Sequence, residues 1–253
     1  MDNWLYFVIL PNNILKIIYG KLNLKGNIML TARLNCIMNY VNSTVAADIG
    51  TDHAFVATEL IRLSRAKRVI ATDVREGPLN MARENINKNN MSDVIETRLG
   101  SGLSVIKPYE ADTAVIAGMG GELICEIIKN DMETAKSMKL VLQPMNAQYE
   151  LRKFLIGNGF EIINEDIECE GARVYNIIVA QKGDMKPFTK DIYYHIPPYL
   201  KGNNRFFDLY NKKRREFKKI INGLNNSNNC DVEKLDYYKR CLIELERMVN
   251  GKG

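Results

Sequence analysis

The chain alternates short apolar runs with segments of helical periodicity from residue 45 to about residue 181. Seven runs have the length and composition of strands, and they cover residues 45–49, 69–73, 94–99, 113–117, 140–142, 160–167 and 174–180. Four helical segments lie between the earlier runs, at residues 55–63, 79–89, 122–129 and 149–158. This alternation predicts an α/β fold with a mostly parallel sheet.

The last two strand candidates differ from the others in their connection. Only residues 168–173 join them, which is too short for a helical crossover, so we expect them to pair antiparallel. A Rossmann-like, mostly parallel sheet that ends in an antiparallel hairpin is typical of class I methyltransferases, whereas dehydrogenases usually end parallel.

Helical periodicity returns in the last quarter of the chain. It is absent across residues 187–198, which predicts a linker. Beyond the linker, two segments joined by the polar residues 225–229 carry apolar residues every three or four positions: Phe206, Tyr210, Phe217, Ile220 and Leu224, then Leu235, Tyr238, Leu242, Leu245 and Val249. This spacing, with Lys213 in one seam position, predicts an antiparallel coiled-coil hairpin.

These patterns divide the chain into three units. Residues 1–28 form an N-terminal extension, whose apolar stretch at 4–10 is far too short to cross a bilayer. Residues 29–185 form the α/β domain, and residues 186–253 form the helical hairpin. Because a helical pattern starts just after Met29, that residue is an alternative natural start of the protein.

The first strand and the turn after it form the stretch V-A-A-D-I-G-T-D-H-A, residues 45–54. The apolar run ends in Asp48, and the chain then turns sharply at Gly50 and passes into a helical segment. Ligands of doubly wound folds bind at such strand ends. The second strand ends in Asp73, 25 residues after Asp48. An acidic residue there typically hydrogen-bonds a ribose hydroxyl, so the motif predicts a nucleoside site.

The turn is not a phosphate cradle. It lacks both G-x-x-x-x-G-K-[ST] and G-x-G-x-x-G, and it has Asp52 where a dinucleotide site needs a second glycine. A carboxylate at that position repels a pyrophosphate but suits an ammonium or sulfonium group. S-adenosylmethionine carries both cations beside a ribose and therefore fits better than NAD. An alternative role for Asp52, as a cap on the following helix, is compatible with this one.

Glycine-rich or amide-rich loops follow the next three strands. R-L-G-S-G-L spans residues 98–103, A-G-M-G-G spans 117–121, and Q-P-M-N spans 143–146. Because the carboxyl ends of parallel strands share one edge of the sheet, these loops and the two aspartates predict a single crevice. The glycines of the second loop would let a flat substrate lie against the backbone, although a tight turn before a helix is the alternative explanation. Gln143 and Asn146 add amide groups that can read the edge of a base.

Positive charge is concentrated at the C-terminus. Residues 184–253 contain 15 Lys and Arg against 9 Asp and Glu, whereas the other 183 residues contain 20 against 21. The asymmetry predicts an anionic partner, with nucleic acid as the leading candidate. A basic run lies on the first arm of the hairpin and comprises Lys212, Lys213, Arg214 and Arg215, followed by Lys218 and Lys219. We expect this run to contact RNA, although a solvated helix face is the usual reason for such a run.

Cysteine and histidine usage excludes some classes of protein. The five cysteines are scattered without a C-x-x-C pair, and the only histidines are His53 and His195, so we expect no metal site. An odd number of thiols suggests a reducing compartment, and we predict a cytoplasmic monomer without membrane contact.

The sequence resembles the bacterial tRNA adenine-N1 methyltransferases that act on position 22 (TrmK type). The matching motifs are A-D-I-G-T-D-H-A (47–54), G-P-L (77–79), R-L-G-S-G-L (98–103), I-A-G-M-G-G (116–121), L-Q-P-M-N (142–146) and Y-N-I-I-V-A (175–180). The resemblance spans about residues 30–183, with a looser match through the hairpin. One departure is Ser101, where the family commonly has Asp near the adenine ring of the cofactor, which predicts weaker but retained binding. Residues 1–28 have no counterpart.

The resemblance implies transfer of a methyl group from S-adenosylmethionine to N1 of adenine 22 in the tRNA D-arm. The expected cofactor contacts are Asp48, Gly50, Thr51, Asp73, Val74, Gly100, Ser101, Gly102, Ala117, Gly118 and Met119. The expected catalytic residues are Asp52, His53 and Asn146. The expected substrate contacts are Gly120, Gln143, Lys212, Lys213, Arg214 and Arg215.

Three other interpretations stay open at this point. A methyltransferase of a small molecule or a protein would need no cationic helical arm. A degenerate fold could serve as a non-catalytic RNA-binding protein, with Ser101 as an early sign of decay, but Asp48, Gly50 and Asp73 are intact. A nicotinamide oxidoreductase is disfavoured by Asp52 and by the missing glycine fingerprint.

Overall fold

The computed structural model describes residues 21–22, 28–227 and 229–250, and its centre is a seven-stranded sheet. The strands are β1 (Ser43–Ile49), β2 (Ala66–Asp73), β3 (Ile95–Leu99), β4 (Thr113–Met119), β5 (Lys139–Pro144), β6 (Phe160–Glu170) and β7 (Arg173–Lys182). Their order in the sheet is β3-β2-β1-β4-β5-β7-β6. The first five pair in parallel, and β7 pairs antiparallel with both β5 and β6. The predicted sheet with a terminal antiparallel hairpin is therefore confirmed.

The direction in which strands are added reverses between β1 and β4. Asp48 at the end of β1 lies beside Ala71 of β2 on one side and Val115 of β4 on the other. Ligands of open parallel sheets bind beyond the carboxyl ends of the strands at such a reversal. The fold therefore places the motif of residues 45–54 where a binding crevice is expected.

In the part of the chain that the structure describes, the two faces of the sheet are covered by the helices α1 (Ala32–Asn39), α2 (Phe55–Arg62), α3 (Glu76–Lys88), α4 (Gly121–Asn130), α5 (Met132–Lys136) and α6 (Gln148–Gly157). On one face, Ile37 of α1 belongs to the same buried cluster as Val115, and on the other, Ile124 of α4 and Leu151 of α6 share a cluster with Ile116. Neighbouring residues of β4 serve opposite cores because side chains alternate along a strand. Helix α5 was not predicted, since five residues are too few to show a periodic pattern.

Little of the N-terminal extension is described. Residues 21–22 pair antiparallel with residues 28–29, and α1 begins after Thr31, whose hydroxyl oxygen accepts a hydrogen bond from the N–H of Leu34 at 3.4 Å. The other predictions for residues 1–28 lie outside the described residues.

The chain continues into two long helices, α8 (Phe206–Asn225) and α9 (Val232–Val249), after a short helix α7 (Ile192–His195) and a 3-10 turn (Pro198–Gly202). Arg214 of α8 forms an ion pair with Glu246 of α9 at 3.0 Å, and the rings of Phe217 and Tyr238 lie 5.6 Å apart. Because the contact residue on α9 moves from 246 to 238 as the contact residue on α8 moves from 214 to 217, the two helices are antiparallel. The predicted helical hairpin is present.

The segment predicted as a linker is packed against the rest of the protein instead. Five of its residues are buried: Ile192, Tyr194, His195, Ile196 and Pro197. Pro197 and Pro198 interrupt the local periodicity, so the sequence pattern gave no sign of this packing. The boundary at residue 186 is therefore a packed joint rather than a loose connection.

His195 lies at the centre of this joint. Its ring stacks on Tyr149 with 4.5 Å between centroids, and its Nε2 lies 3.0 Å from the hydroxyl of Tyr237. Burial, together with the charges of Lys213 and Arg152, lowers the pKa of His195 to about 3. The ring is thus neutral at physiological pH and acts as a packing element.

A buried ion pair fastens the joint to the sheet. Arg152 of α6 and Glu165 of β6 are both buried, and Nη2 of Arg152 lies 2.7 Å from Oε2 of Glu165. Nη1 of Arg152 also donates to the carbonyl of Tyr194 at 2.8 Å, and the hydroxyl of Tyr199 donates to Oε1 of Glu165 at 2.6 Å. One ion pair thus connects α6, β6 and the segment that leads to the hairpin.

Replacing Arg152 by Met should lower the free energy of unfolding by about 3–5 kcal/mol, because the Glu165 carboxylate would stay buried without its partner. The matched control is Arg62→Met: the Arg62 side chain, which pairs with Glu59, is 43% exposed, and such a pair contributes about 0–1 kcal/mol. Unfolding of both variants in guanidinium chloride measures the difference. Equal losses would show that the buried pair does not hold the joint together.

Candidate active site

The carboxylate of Asp48 lies at the carboxyl end of the central strand, and the residue is 5% exposed. The hydroxyl of Thr51 donates to its Oδ2 at 2.6 Å, and the backbone N–H of Ala57 in α2 also donates to it. Burial raises the pKa of Asp48 to about 6, the two hydrogen bonds oppose that rise, and the charges of Asp73 and Asp52 add to it. A cationic ligand in this position would stabilise the charged form of Asp48.

The turn after β1 is held by the neighbouring strand. The N–H groups of Gly50 and Thr51 both donate to the carbonyl oxygen of Thr72, at 2.8 and 2.7 Å. Gly50 has a φ of 74°, and a Cβ there would lie 2.0 Å from Cε of Met119. The backbone angle therefore favours glycine at this position, and a larger residue would also have to displace the flexible end of Met119.

Two residues with side chains follow in the left-handed region. His53 and Ala54 have φ values of 59° and 54°, which residues with a Cβ rarely adopt. Ala54, rather than Asp52, occupies the N-cap position of α2. The carboxylate of Asp52 is 51% exposed and lies 3.5 Å from Nε2 of His53. Strained backbone beside an exposed acid is typical of functional turns.

Asp73 ends β2 with a side chain that is largely buried. Its Oδ1 accepts the N–H of Arg75 at 2.9 Å, and its carbonyl accepts the N–H of Gly100 at 2.9 Å. Two apolar residues remain at the surface beside it: Val74 is 64% exposed and Leu99 is 50% exposed. Apolar surface next to a buried acid suits a purine ring attached to a ribose. The sequence motifs did not point to Leu99, because an apolar residue at the end of a strand resembles a core residue.

The loop after β3 completes this part of the crevice. Ser101 is exposed, and the hydroxyl of Thr72 donates to the carbonyl of Gly102 at 3.5 Å. Gly102 has a φ of 59°, and a Cβ there would lie 2.8 Å from Cγ2 of Ile127. The contact of Ser101 with the adenine of a cofactor stays a prediction.

Glycines of two kinds lie in the irregular last residues of β4 and in the loop after it, and we refer to residues 118–121 together as the glycine turn. Gly118 is exposed with a φ of 77°, so its backbone is open to a ligand. A Cβ at Gly120 would lie 3.1 Å from Oδ1 of Asn146, and a Cβ at Gly121 would lie 2.6 Å from the carbonyl oxygen of Ala147. The predicted flat surface for a substrate therefore narrows to Gly118, because the other two glycines accommodate the loop after β5.

The two amides predicted to read a base differ in accessibility. Gln143 has no exposed surface, and its Oε1 accepts from the N–H of Gly118 at 3.2 Å and from Nη1 of Arg33 at 2.6 Å. Contrary to the prediction, Gln143 is not placed to contact a substrate, since the protein encloses it. Asn146 is exposed, and its Oδ1 accepts the N–H of Gly121 at 3.2 Å, so it stays the candidate for holding a base.

In the first half of the basic run on α8, the lysine ammonium groups bind other groups of the protein. Lys213 is buried in the helical seam with its Nζ 2.9 Å from Glu216. Lys212 donates from Nζ to the carbonyl of Val174 at 3.0 Å, and burial lowers its pKa. The predicted RNA contacts of these two lysines are therefore wrong, because packing against the seam and against β7 engages their ammonium groups.

The second half of the run is more accessible. Arg214 is partly exposed and pairs with Glu246, whereas Arg215, Lys218 and Lys219 are exposed. We refer to these three exposed residues as the α8 basic face. The contact of Arg214 and Arg215 with RNA stays a prediction.

In the part of the chain that the structure describes, no three His, Cys, Asp or Glu side chains are grouped as a metal site would need. None of the helices in those residues is both long enough and apolar enough to cross a membrane. The five cysteines are free thiols.

The strand order, the acidic strand ends and the open glycine turn define a nucleoside-binding crevice of the methyltransferase class. A family model described as a methyltransferase domain matches residues 30–178. The tRNA (adenine(22)-N(1))-methyltransferase of Bacillus subtilis (strain 168) is 36% identical over 162 residues, which cover 63% of this chain and 68% of that protein. The chain therefore belongs to the family of tRNA (adenine(22)-N(1))-methyltransferases.

Solved structures share this architecture. The crystal structure of the B. subtilis m1A22 tRNA methyltransferase TrmK matches with a TM-score of 0.78 at 27% identity, over 87% of this chain and 98% of that chain. A Streptococcus pneumoniae structure in complex with S-adenosyl-L-methionine matches with a TM-score of 0.76 at 26% identity, over 87% of this chain and 100% of that chain. The family resemblance found in the sequence motifs is confirmed.

Replacing Asp48 by Asn should stabilise the ligand-free protein at pH 8 by roughly 1–3 kcal/mol. The pKa of the folded carboxyl, about 6 against an ordinary 3.8, means that the folded state binds this proton more tightly. The charged form therefore costs stability above pH 6, and the cost disappears as the pH falls toward 4. Thermal unfolding at pH 8 and pH 4 checks both parts, with the exposed Asp93→Asn as the control. A variant no more stable than the wild type at pH 8 contradicts the expectation.

Proposed function

We propose that this protein transfers a methyl group from S-adenosylmethionine to N1 of adenine 22 in the D-arm of tRNA. The observation that carries the proposal is the crevice at the carboxyl ends of β1, β2 and β4 in a chain of this family. There a buried acid, Asp48, a second acid, Asp73, and an open turn at Gly118 meet. A nicotinamide oxidoreductase is set aside by the family membership.

The residues present fit S-adenosylmethionine. Asp48 and Asp52 provide negative charge for a cationic methionine end, and the second carboxylate oxygen of Asp73 can accept hydrogen bonds from ribose hydroxyls. Val74 and Leu99 provide apolar surface for the adenine ring. When bound, the cofactor supplies an electrophilic methyl group attached to a sulfonium. The protein's contribution is to hold both reactants in line.

The target atom places few chemical demands on the protein. Adenine N1 already has a lone pair, so no base is needed to generate the nucleophile. N1 lies on the Watson–Crick edge, so the adenine must be unpaired or rotated out of its stack before it reacts. Rate acceleration then depends on alignment. Gly118 offers exposed backbone on which a flat ring can lie, and Asn146 offers an exposed amide at the rim.

Methylation gives the adenine a positive charge that spreads toward its exocyclic amine. The half-exposed carboxylate of Asp52 is our candidate for stabilising that charge. His53 lies beside Asp52, and its ring stacks on Phe55 with 5.6 Å between centroids. We assign His53 to orienting Asp52 rather than to removing a proton.

The α8 basic face is our candidate for the tRNA-binding surface. Exposed Lys and Arg side chains bind phosphates without reading sequence and orient the nucleic acid on the protein. The face lies in the part of the chain that holds the whole positive excess. It would hold the tRNA while the crevice receives the adenine.

We further propose that the enzyme acts as a monomer in the cytoplasm. The crevice and the α8 basic face both belong to one chain, so the proposed reaction needs no second subunit. The free thiols suit a reducing compartment.

Methyl transfer can be tested with labelled S-adenosylmethionine and unmodified tRNA transcripts. We expect label in 1-methyladenosine when adenine is present at position 22 and none when that position is changed, because only N1 of this adenine would reach the cofactor. Nucleoside digestion and chromatography identify the product. Label in another nucleoside, or none at all despite cofactor binding, would contradict the proposal.

Reversing the charge of the α8 basic face should weaken tRNA binding. The double variant Arg215→Glu/Lys218→Glu should lose about tenfold or more in affinity at 0.1 M salt, because phosphate contacts are lost and repulsion is added. Affinity for S-adenosylmethionine should stay unchanged. The matched control is Lys67→Glu/Arg68→Glu, which changes two exposed residues at the amino end of β2. Filter binding and calorimetry measure the two affinities, and equal tRNA losses in both double variants would remove the hairpin from the binding model.

A further inference from the structure

Arg33, in the first turn of α1, reaches the crevice from a face of the sheet rather than from a strand end. Its Nη1 donates to Oε1 of Gln143 at 2.6 Å, and its guanidinium carbon lies 5.4 Å from the centre of the Tyr175 ring. A Cβ at Gly118 would lie 3.9 Å from the same Nη1, which is an ordinary contact distance. The backbone N–H of Arg33 is anchored by Oε1 of Glu170 at 2.8 Å. The guanidinium therefore lies directly beside the open glycine turn.

The contact with Gln143 fixes the conformation of that turn. Oε1 of Gln143 accepts both from Arg33 and from the N–H of Gly118, so both acceptor positions of the amide oxygen are used. The amide nitrogen of Gln143 points to Sδ of Met145 at 3.5 Å. Gln143 therefore links the side chain of Arg33 to the backbone of Gly118 through one shared oxygen.

Within the described residues, Arg33 forms no ion pair with a carboxylate. Its guanidinium donates to the neutral amide of Gln143, and Glu170 accepts from its backbone N–H. The side chain is half-buried, so this cation is also only partly solvated. A guanidinium has five N–H donors in a planar fork that matches two oxygens of a phosphate.

The acids of the crevice make such a cation necessary. Asp48, Asp52 and Asp73 suit a cationic cofactor, but the same charges repel the backbone of a nucleic acid. A substrate phosphate that approaches Gly118 therefore needs a local positive charge on its own side of the crevice. Arg33 is the half-buried guanidinium that the structure places beside Gly118.

We propose that Arg33 binds a phosphate next to the target adenine and, through Gln143, holds the Gly118 turn against which the base lies. This inference rests on the proposed tRNA methyl transfer and adds a substrate-binding and positioning residue to it. The phosphate contact would depend on the positive charge of Arg33. The positioning of the base would depend on the planar shape of its guanidinium group.

The test compares Arg33→Met, Arg33→Lys and the exposed control Arg68→Met in steady-state methylation of tRNA at several salt concentrations. For Arg33→Met, kcat/KM for tRNA should fall about 10- to 100-fold, the loss typical of a charged hydrogen bond. The salt dependence of log kcat/KM should become less steep by about 1, because one phosphate contact is lost. Arg33→Lys should keep the wild-type salt slope but not the full rate, since lysine keeps the charge and lacks the fork. Calorimetric affinity for S-adenosylmethionine should stay within about twofold of wild type, because a phosphate contact belongs to the substrate.

A wild-type salt slope in Arg33→Met would overturn the phosphate contact, and so would a loss of cofactor affinity equal to the loss of tRNA activity. Activity equal to that of Arg68→Met would overturn this inference alone and leave the methyl transfer standing. A wild-type protein that binds the cofactor but methylates no tRNA would overturn the proposed function and this inference with it.

Discussion

A carboxylate kept out of water at the end of the central strand is the constraint on which the rest of the site depends. Asp48 receives hydrogen bonds from Thr51 and from the start of α2, yet burial still raises its pKa to about 6. The protein alone therefore does not satisfy this charge. A ligand that brings a positive charge to the crevice stabilises the ionised form and, by linkage, the folded state that binds it.

The protein's own backbone shapes the crevice, because each strand-end loop is hydrogen-bonded to its neighbour. The turn after β1 donates to Thr72, Gly100 donates to the carbonyl of Asp73, and Met145 donates to the carbonyl of Met119 at 2.8 Å. Several glycines that the sequence predicted as ligand contacts take part in these hydrogen bonds between neighbouring loops. Pre-organisation of this kind suits a reaction whose main requirement is alignment.

The strands and most helices could be predicted from the sequence because their apolar runs are short, periodic and bounded by polar or glycine-rich turns. The acidic strand ends could be predicted for the same reason, since Asp48 and Asp73 each terminate an apolar run. Arg33 could not be found in this way. It reaches the crevice because α1 packs across the sheet, and no local motif encodes a contact between residues 110 positions apart.

The burial of charged and aromatic side chains is the second feature that could not be predicted from the sequence. Lys213 occupies a seam position in the heptad pattern, so it is buried and pairs with the partly exposed Glu216, although a basic run usually faces solvent. Likewise, the segment at residues 187–198 has no period, yet its aromatic residues find partners on α6 and α9. Such contacts depend on which elements meet in three dimensions, and a periodic pattern records only which face of one element is apolar.

Burial gives His195 and Asp48 opposite effects on the stability of the protein in acid. Its pKa of about 3 lies below the ordinary 6.5, so the unfolded chain takes up a proton that the joint excludes, and the joint is weakened as the pH falls below 6.5. Asp48 behaves in the reverse sense, because its raised pKa makes mild acid favour the folded crevice. In weakly acidic solution the two contributions therefore oppose each other, and the stability of the whole protein should change less with pH than either residue alone would make it change.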